Sequence, residues 1–475
     1  MSSIKFGTDG WRAIIAEDFT FANVKIVTQG IAAYINSENL GKRGIVIGYD
    51  NRFMSERFAH TCARVLAGNG IKVIMLRKAC PTPVTAFAVR AKNAGGALML
   101  TASHNPPEYN GLKFIPEYAG PALPDVTESI EAEVNRVLEN RKVYELALEE
   151  AEKLELVEEY DVDREYQNHL LRLINPEPFK KRKLKVVVDP MFGAGIGYLE
   201  KYLEALGCEI RVIHGYRDVL FGGSLPEPTD RGLDALKRAV KNYDADLGLA
   251  LDGDADRFGV VDEKGEFVVP NRLLYLLLDY ILKTRSFRGP VARTVATTHV
   301  LDKVAKKNGL GVIETPVGFK YIGECLRERG CILGGEESGA LSIFGHIPEK
   351  DGILACLLVA EMVAWSEMSL TDIYGRFVEE YGRVESERLD VHYREQDKAR
   401  LNTRLNEYCP KAIGGVKVEK AVTTEGRKFL MEDGSWVLIR SSGTEPLFRI
   451  YVEAQDRVRM ADIQREVQNA LGLLS

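Results

Sequence analysis

Residues 96–107, GALMLTASHNPP, decide the fold, because an apolar stretch runs directly into a polar loop at this point. The apolar part, residues 96–100, has the length of a buried β-strand, and the two prolines at the end of the loop prevent a helix from starting there. The residues before it predict strands and helices in alternation: strand 44–49, helix 56–67, strand 70–76 and helix 85–92. The stretch therefore ends a βαβαβ unit.

The same order of elements recurs twice more along the chain. The second copy is predicted as strand 185–188, helix 198–206, strand 207–213, helix 232–242 and strand 246–251. The third copy is predicted as strand 291–296, helix 300–308, strand 309–313, helix 321–329 and strand 330–333. Such alternation is typical of layered α/β folds, whose ligands bind at the carboxyl ends of the strands. We expect three αβα domains of related topology, with their polar loops converging on one cleft.

The pattern changes after Tyr381. Strands are predicted at 384–392, 416–422, 435–439 and 448–453, followed by a closing helix at 457–471, which together indicate a smaller α+β domain. Between the first two copies, residues 125–160 are rich in Glu, Leu and Ala and predict a long helix. We therefore predict four domains: 1–158 with the serine loop, 159–262 with the loop DGDADR, 263–380 with the loop GEESG, and 381–475 with the loop RSSGTEP.

Composition excludes several classes of protein. Lysine and arginine total 63 against 69 for aspartate and glutamate, and this net charge of −6 argues against a nucleic-acid-binding protein. The seven cysteines include no C-x-x-C pair, which favours free thiols in a reducing compartment. The start, MSSIKFGTDGWR, has no apolar stretch of signal-peptide length, and the apolar windows 273–282 and 353–365 are too short to cross a membrane. We expect a cytoplasmic protein without nucleic-acid or membrane partners.

The loop DGDADR, residues 252–257, places three carboxylates at alternate positions. In an extended segment Asp252, Asp254 and Asp256 would share one face, where their mutual repulsion favours a bound cation. Oxygen ligands alone suit Mg²⁺, or Ca²⁺ with more ligands. An EF-hand loop is a competing interpretation, but Arg257 stands where that loop needs glycine, and the flanks predict strands. A solvated acidic turn is the remaining alternative.

Three other loops carry candidate groups. Ser103 lies in a rigid, proline-closed loop, yet its neighbour His104 is expected to point away from it, so adjacency does not make a catalytic dyad. Taken alone, Ser103 is more typical of a turn residue than of a nucleophile. The loop RSSGTEP, residues 440–446, combines hydroxyls, a glycine and a guanidinium that suit a phosphate. The loop GEESG, residues 335–339, has acceptors suited to sugar hydroxyls, although it would also serve as a plain turn.

Five motifs in order resemble the α-D-phosphohexomutase superfamily, which contains the phosphoglucomutases and phosphomannomutases. They are FGTDGWR (6–12), TASHNPPEYNGLKF (101–114), DGDADR (252–257), GEESG (335–339) and RSSGTEP (440–446). The resemblance extends over essentially the whole chain. It implies three αβα domains and a fourth domain of the TATA-box-binding-protein-like type, arranged around a central cleft.

The resemblance also implies a mechanism. Ser103 matches the serine that carries a phosphoryl group and exchanges it with a hexose phosphate through a bisphosphorylated sugar, here glucose 1,6-bisphosphate. Asp252, Asp254 and Asp256 match the Mg²⁺ ligands, with an oxygen at Ser103 completing the set. The other matches in the catalytic region are Arg257 beside the transferred group, Lys113 and His104 as acid/base candidates, and Arg12 in the cleft.

Substrate contacts are implied in the later motifs. Glu336 and Ser338 match contacts to the sugar hydroxyls, and Lys320 matches a basic contact that varies within the family. The residues expected to hold the phosphate that the substrate already carries are Arg440, Ser442, Gly443, Thr444 and, beyond the loop, Arg449.

The choice of sugar depends on two positions that differ from known family motifs and on one segment that resembles such a motif. Enzymes acting on mannose and glucose phosphates often continue the sugar loop as G-E-x-S-G-H, and phosphoglucosamine mutases as G-E-Q-S-G-H, whereas this chain has Glu337 and Ala340. The segment HIPEKDG, residues 346–352, resembles glucose-directed phosphoglucomutases and would bring Lys350 to the substrate. We expect glucose phosphate. The alternatives are a phosphomannomutase or dual-specificity enzyme, a phosphoglucosamine mutase, a Mg²⁺-dependent phosphatase and a non-catalytic sugar-phosphate sensor. A monomer and a homodimer are both compatible with the sequence.

Overall fold

The computed structural model describes residues 4–7, 10–441 and 446–473. The chain divides into two compact units. The first unit contains Met1–Pro290 and Gly318–Ile373, and the second contains Val291–Val317 and Tyr374–Ser475.

The first region of the chain forms a six-stranded sheet with the order β1-β5-β4-β2-β3-β6. Its elements are β1 (Trp11–Ile14), α1 (Phe21–Ser37), β2 (Ile45–Tyr49), α2 (Ser55–Gly68), β3 (Val73–Leu76), α3 (Thr82–Lys92), β4 (Gly96–Leu100), β5 (Tyr109–Pro116), α4 (Pro124–Asn140), α5 (Leu148–Lys153) and β6 (Val157–Tyr160). Strand β2 pairs in parallel with both β3 and β4 and is buried throughout, which explains its apolar sequence IVIGY. Strand β5 returns antiparallel to β4, so the serine loop lies at the carboxyl end of β4.

The predicted single helix over residues 125–160 is wrong: the structure has two helices, α4 and the short α5, and a final strand. Helix α4 ends at Asn140, where Arg141 adopts a left-handed φ of 57°. Residues 157–160 instead form β6, which pairs in parallel with β3 at the edge of the sheet. The composition favours helix locally, but hydrogen bonds to a neighbouring strand override that preference.

The second region forms a five-stranded sheet with the order β11-β10-β9-β7-β8. Its elements are α6 (Asp163–Leu173), α7 (Glu177–Lys181), β7 (Lys185–Asp189), α8 (Leu199–Ala205), β8 (Glu209–Val212), α9 (Asp234–Tyr243), β9 (Leu247–Leu251), β10 (Phe258–Val261) and β11 (Phe267–Val268). Strand β7 pairs in parallel with β8 and β9, and β10 returns antiparallel to β9. The loop DGDADR therefore joins β9 to β10.

The third region repeats the alternation of strands and helices. Its elements are α10 (Pro270–Thr284), β12 (Val291–Thr294), α11 (Val300–Lys307), β13 (Val312–Thr315), α12 (Phe319–Glu328), β14 (Leu333–Glu336), β15 (Ala340–Ile343), α13 (Gly352–Ser366) and α14 (Leu370–Tyr381). Strands β12 and β13 pair in parallel, and β14 and β15 form an antiparallel hairpin. Helix α13 is apolar on nearly all sides because it is almost entirely buried. Within the described residues, no single helix is long and apolar enough to cross a membrane.

The last region is an antiparallel sheet with the order β16-β21-β20-β19-β18-β17. Its elements are β16 (Glu385–His392), α15 (Lys398–Glu407), β17 (Ala412–Ile413), β18 (Val416–Val422), β19 (Arg427–Met431), β20 (Trp436–Ser441), β21 (Leu447–Ala454) and α16 (Arg457–Leu471). The four predicted strands and the closing helix are present, whereas α15, β17 and β19 were not predicted. The predicted fold class, three αβα domains and a smaller α+β domain, is confirmed.

Candidate active site

Ser103 lies in the turn that follows β4. Its backbone φ is 51°, a left-handed conformation that costs a non-glycine residue roughly 1–2 kcal/mol. Ser103 N donates a hydrogen bond to Thr101 Oγ1 at 2.8 Å, which helps to hold this turn. The side chain is buried, and its Oγ donates to Asp252 Oδ2 at 2.9 Å. The serine hydroxyl therefore points at the loop DGDADR.

The expectation that Ser103 and His104 point apart is wrong. Ser103 Oγ lies 3.2 Å from His104 Nδ1, because the left-handed turn at Ser103 brings both side chains to the same side. Burial lowers the pKa of His104 well below its ordinary value, and the guanidinium groups of Arg257 and Arg12 lower it further. The imidazole is thus neutral near pH 7, and a neutral ring nitrogen can accept a proton from the hydroxyl.

The loop DGDADR is a turn and not the extended segment expected from the sequence. Ala255 has a φ of 56°, and Ala255 N donates to Asp252 O at 3.0 Å. The turn still gathers the carboxylates: one oxygen from each of Asp252, Asp254 and Asp256 lies within 4.8 Å of the others. All three residues are buried. The predicted cluster is present, but the curvature of the turn produces it.

Three side chains orient two of these carboxylates by binding one oxygen of each. Lys113 Nζ, from β5, donates to Asp254 Oδ2 at 2.9 Å and to Asp256 Oδ2 at 3.1 Å. Thr82 Oγ1, at the start of α3, donates to Asp254 Oδ2 at 2.7 Å. Lys350 Nζ lies 3.0 Å from Asp256 Oδ2. These contacts occupy the Oδ2 atoms and set the direction in which the Oδ1 atoms point.

The Oδ1 atoms of Asp254 and Asp256 are buried and have no hydrogen-bond partner among the residues that the structure describes. A buried carboxylate oxygen without a partner is costly unless another group compensates it. The three carboxylates, together with Ser103 Oγ beside Asp252, offer oxygen donors alone, which suits a hard divalent cation such as Mg²⁺. The residues therefore fit the metal that the sequence predicts.

The pKa values of Asp252 and Asp254 are shifted in opposite directions. Burial raises the pKa of Asp252 well above its ordinary value, and the carboxylates of Asp254 and Asp256 raise it further. Burial also opposes ionisation of Asp254, but the Lys113 ammonium and the Thr82 hydroxyl outweigh it and lower the pKa of Asp254. A cation beside these oxygens would favour the ionised form of Asp252.

Gly253 brings the loop DGDADR into direct contact with the serine loop. A Cβ atom at Gly253 would lie 2.4 Å from Ser103 O, closer than such atoms ever approach. A second contact joins the same loop to α3, where Thr82 N donates to Asp254 O at 2.9 Å. The backbone of the serine loop is therefore held against the carboxylate cluster at van der Waals distance.

Two predicted arginines lie at this site. Arg12, on β1, donates from Nη1 to Asn105 Oδ1 at 2.7 Å and so contacts the serine loop. Arg257 follows the third aspartate, and its backbone N donates to Asp252 Oδ1 at 3.0 Å. Its Nη1 lies 3.6 Å from Glu227 Oε1. The structure therefore brings together all the predicted catalytic and metal residues: Arg12, Ser103, His104, Lys113, Asp252, Asp254, Asp256 and Arg257.

The sequence GEESG forms the turn of the β14–β15 hairpin, with Ser338 near its tip. Gly339 has a φ of 82°, and a Cβ atom there would lie 2.7 Å from Phe258 O. Phe258 N donates to Gly339 O at 3.1 Å. Because Phe258 directly follows the loop DGDADR, the hairpin turn lies beside the carboxylate cluster.

Glu336 ends β14 and is buried. Its Oε1 accepts a hydrogen bond from Gly318 N at 2.9 Å, at the start of α12. Burial and the neighbouring Glu337 carboxylate raise the pKa of Glu336 to about 7. Lys320 lies in the first turn of α12, with its Nζ 5.4 Å from the ring centre of Tyr321. The predicted sugar contacts Glu336, Ser338 and Lys320 thus belong to one hairpin and the helix that it touches.

The second unit carries the predicted phosphate loop. Arg440 on β20 and Arg449 on β21 lie directly opposite each other in the antiparallel register. Like charges in such a pair repel, so a bound anion would stabilise them. Arg440 Nη2 also donates to Glu425 Oε2 at 3.2 Å. The other predicted residues of this loop, Ser442, Gly443 and Thr444, lie outside the described residues.

Sequence reasoning missed two residues of the site. Thr82 gave no signal, since a threonine between prolines is typical of any turn. Arg52 follows β2 in the polar run YDNR, at the carboxyl end of a buried strand, and that position resembles the loops that were selected. Arg52 is fully buried and contacts the serine loop through its guanidinium.

Comparison with known families accounts for most of the chain. Residues 3–141 match the family phosphoglucomutase/phosphomannomutase, alpha/beta/alpha domain I. Residues 164–265 match domain II, residues 269–381 match domain III, and residues 398–470 match the C-terminal domain of the same group.

Curated relatives agree with these matches. A phosphoglucomutase/phosphomannomutase of Thermococcus kodakarensis is 32% identical over 450 residues, which is 95% of this chain and 94% of the relative. A protein of Pyrococcus abyssi named "probable phosphoglucosamine mutase" is 32% identical over 98% of this chain and 96% of its own length. The relatives thus share one class of reaction and differ in the sugar that their names specify.

Solved structures have the same fold. A crystal structure from Thermus thermophilus with the name "putative phosphomannomutase" is 33% identical, with a TM-score of 0.86 over 99% of both chains. The open form of Paramecium parafusin, a phosphoglucomutase, has a TM-score of 0.83 at 23% identity over 100% of this chain and 95% of its own. The chain belongs to the phosphoglucomutase/phosphomannomutase family of the α-D-phosphohexomutase superfamily and is a phosphohexomutase, an isomerase.

Proposed function

We propose that this phosphohexomutase is a Mg²⁺-dependent phosphoglucomutase that carries its transferable phosphoryl group on Ser103. The observation that supports this most is the position of Ser103 Oγ, 2.9 Å from Asp252 Oδ2 and beside two buried carboxylates whose Oδ1 atoms lack hydrogen-bond partners in the described part of the chain. A hydroxyl at such a place can carry a phosphoryl group next to a cation. Bound Mg²⁺ would neutralise the charge that builds up on the transferred group.

The reaction consists of two phosphoryl transfers. In the first, the bond between phosphorus and Ser103 Oγ breaks and Ser103 Oγ takes up a proton, while the C6 oxygen of glucose 1-phosphate bonds to phosphorus and the C6 hydroxyl releases its proton to a base. Glucose 1,6-bisphosphate results. In the second, Ser103 Oγ loses its proton and bonds to the phosphorus at C1, the bond between that phosphorus and the C1 oxygen breaks, the C1 oxygen takes up a proton, and glucose 6-phosphate leaves. His104 Nδ1, neutral and 3.2 Å from Ser103 Oγ, is placed to take the serine proton in this step and to return it in the reverse reaction.

The surrounding residues have separate roles in this proposal. Lys113 and Lys350 balance the charge of the buried Asp254 and Asp256 carboxylates. Arg257 lies at the end of the same loop and supplies positive charge to the transferred group. Glu336 and Ser338 orient the sugar, and the loop that begins at Arg440 holds the phosphate that does not react.

Glucose is the proposed sugar because residues 346–352 read HIPEKDG, as in glucose-directed phosphoglucomutases, and because Ala340 replaces the histidine typical of the other groups. Lys350 in this segment contacts Asp256, so the segment reaches the metal cluster. The names of the relatives make glucosamine 1-phosphate the main alternative. The following stay predictions: small-molecule hexose phosphates as partners without nucleic acid or membrane, a monomeric or homodimeric state, a cytoplasmic location, and the domain boundaries at 158, 262 and 380.

The test compares three substrates in parallel. Purified enzyme with Mg²⁺ and catalytic glucose 1,6-bisphosphate is given the 1-phosphate of glucose, mannose or glucosamine, and the 6-phosphate product is followed by ³¹P NMR. We expect glucose 1-phosphate to react fastest. The variant Ser103→Ala should be inactive, while Ser366→Ala, which removes a serine hydroxyl bonded to Val363 O on α13, should retain activity.

Each alternative gives a different result in this experiment or in a calorimetric titration with the same substrates. Faster conversion of mannose or glucosamine 1-phosphate would overturn the choice of sugar but not the mechanism. Release of inorganic phosphate faster than isomer formation would indicate a phosphatase. Tight binding in calorimetry without any turnover would indicate a sugar-phosphate sensor.

A further inference from the structure

Arg52 is a buried cation that the proposed mechanism does not use. It lies in the segment between β2 and α2 and is completely inaccessible to solvent. A buried guanidinium is expensive unless its N–H groups and its charge are matched by partners. Its partners therefore show what it does in the fold.

Four backbone carbonyls of one short segment accept hydrogen bonds from the Arg52 guanidinium. Nη2 donates to Ser103 O at 2.7 Å and to Asn105 O at 2.6 Å. Nη1 donates to Pro106 O at 2.8 Å and to Tyr109 O at 3.1 Å. A planar fork that binds four carbonyls within seven residues sets the curvature of the whole serine loop.

Asp50 and Phe221 balance the charge of Arg52 and fix its orientation. Asp50 Oδ2 lies 3.4 Å from Arg52 Nε, and Asp50 Oδ1 accepts a hydrogen bond from Arg52 N at 3.0 Å. Ser55 Oγ also donates to Asp50 Oδ1, at 2.8 Å. The ring of Phe221 lies 4.9 Å from Arg52 Cζ and covers the guanidinium. The fork therefore has little freedom to move.

The carbonyl of Ser103 connects this fork to the site. On one side it accepts from Arg52 Nη2, and on the other side it abuts Gly253, where a Cβ atom would lie only 2.4 Å away. Ser103 itself keeps a left-handed φ of 51° that needs support from its surroundings. A shift of the serine loop away from Arg52 would alter the 2.9 Å contact between Ser103 Oγ and Asp252.

We propose that Arg52 is a positioning residue for phosphoryl transfer, which holds the strained Ser103 turn against the carboxylate cluster through four backbone carbonyls. It contacts neither substrate nor metal in this role. The inference rests on the proposed function of Ser103 as the phosphoryl carrier. Lysine cannot replace arginine here, because an ammonium group has three donors and no planar fork.

The test uses Arg52→Lys as the main variant, since it keeps the charge that balances Asp50, and Arg52→Ala with added guanidinium as the second. The matched control is Arg182. Its guanidinium also donates hydrogen bonds to backbone carbonyls, Val363 O and Met368 O, and to the Asp246 carboxylate, and none of these partners belongs to the serine loop. We expect Arg52→Lys to lower kcat about 100-fold, the size of a misplacement of about 1 Å, with KM for glucose 1-phosphate unchanged. Added guanidinium should raise kcat of Arg52→Ala and leave Arg182→Ala unaffected.

A second measurement does not depend on turnover. Hydrogen–deuterium exchange of residues 101–109 should be faster in Arg52→Lys than in wild type, whereas Arg182→Lys should leave this segment unchanged. Mass spectrometry can also measure how fast glucose 1,6-bisphosphate phosphorylates Ser103. This rate should be lower in Arg52→Lys than in wild type and should be unchanged in Arg182→Lys.

The possible failures are distinguishable. Normal kcat and normal exchange of residues 101–109 in Arg52→Lys would overturn the positioning role, even if wild type becomes phosphorylated on Ser103. An equal loss of kcat in the Arg52 and Arg182 variants would also overturn it, because the effect would then be general destabilisation. If wild type never acquires phosphate on Ser103, the proposed function fails instead, and the exchange data still decide whether Arg52 holds the loop.

Discussion

The hydroxyl of Ser103 donates a hydrogen bond to Asp252 Oδ2 at 2.9 Å across 149 residues of sequence. The two residues come from loops that follow equivalent strands, β4 and β9, of two different sheets. Each loop closes a predicted βαβαβ unit, and Gly253 allows the backbones of the two loops to touch. A nucleophile from one copy of the repeat and a metal-type cluster from the next thus form a single site.

Removing one aspartate of the cluster should weaken Mg²⁺ binding. We expect Asp254→Asn or Asp256→Asn to lower the Mg²⁺ affinity by more than about 10-fold, because each variant loses a charged donor whose Oδ1 has no hydrogen-bond partner in the described part of the chain. Isothermal titration calorimetry measures this. Asp279→Asn, which removes a carboxylate paired with Lys283 on α10, is the control and should bind Mg²⁺ like wild type. Equal affinity in all variants would contradict a metal site at this cluster.

Thr82 should act on the metal through Asp254. Its hydroxyl donates to Asp254 Oδ2 at 2.7 Å, and loss of such an orienting contact typically costs about 10–100-fold in metal affinity or activity. We expect Thr82→Val to raise the Mg²⁺ concentration needed for half-maximal activity by about 10-fold. Thr284→Val, which removes a hydroxyl bonded to Tyr280 O, should not change it. An unchanged Mg²⁺ requirement in Thr82→Val would show that the hydroxyl does not orient the ligand.

Lys113 should matter most when no metal is bound. Its ammonium contacts Asp254 and Asp256 while buried, and breaking a buried ion pair by removing one partner costs about 3–5 kcal/mol. We expect Lys113→Met to lower the melting temperature strongly in EDTA and less strongly in Mg²⁺, because the cation replaces part of the lost charge. Lys283→Met removes a surface pair and should cost less than about 1 kcal/mol. A loss that is the same with and without Mg²⁺ would contradict this.

Glu336 should make stability depend on pH. Burial and Glu337 raise its pKa from 4.5 to about 7. The folded state therefore holds this proton more tightly than the unfolded state, and the contribution of Glu336 to the free energy of unfolding falls as pH rises from about 4.5 to about 7. The variant Glu336→Gln cannot ionise and should gain stability relative to wild type between about pH 4 and about pH 8.

Melting temperatures of both proteins across this range measure the effect. Glu204→Gln, at an exposed position on α8, is the control, and its difference from wild type should not follow the same curve. If the difference between Glu336→Gln and wild type is independent of pH, the carboxyl group of Glu336 is not perturbed by its burial.

His104 should stay neutral at physiological pH. Burial and the charges of Arg257 and Arg12 lower its pKa, so its ring nitrogens should keep the ¹⁵N chemical shifts of neutral imidazole below the pH at which an unperturbed imidazole, with a pKa of about 6.5, takes up its proton. The spectrum of His104→Gln identifies the signal, and free imidazole in the same buffer provides the reference. Protonation of His104 above about pH 6 would contradict its role as a base for Ser103.

Local patterns predicted much of the fold correctly. Strand 96–100 and helix 457–471 have the predicted bounds, because an apolar run between polar residues and a regular amphipathic pattern are strong local signals. Strand β19, RKFLM, was not predicted. Its five residues are too few to show a clear alternation of polar and apolar side chains, and the strand is defined by its hydrogen bonds to β20. The predicted helix 125–160 is correct up to Asn140, but residues 157–160 form a strand, because an edge pairing with β3 outweighs a modest helix preference.

The sequence by itself determined the fold class, the three loops that follow strands, and the residue types that a phosphoryl-transfer site needs. Composition, periodicity and motif order are local properties, and each can be read along the chain. Only the tertiary structure decided which atoms meet. The Ser103–His104 contact depends on one left-handed φ, the clustering of the aspartates depends on a turn at Ala255, and the support from Arg52 depends on carbonyls more than fifty residues away. Side-chain direction and long-range backbone contacts follow from packing, which is not encoded at any single position.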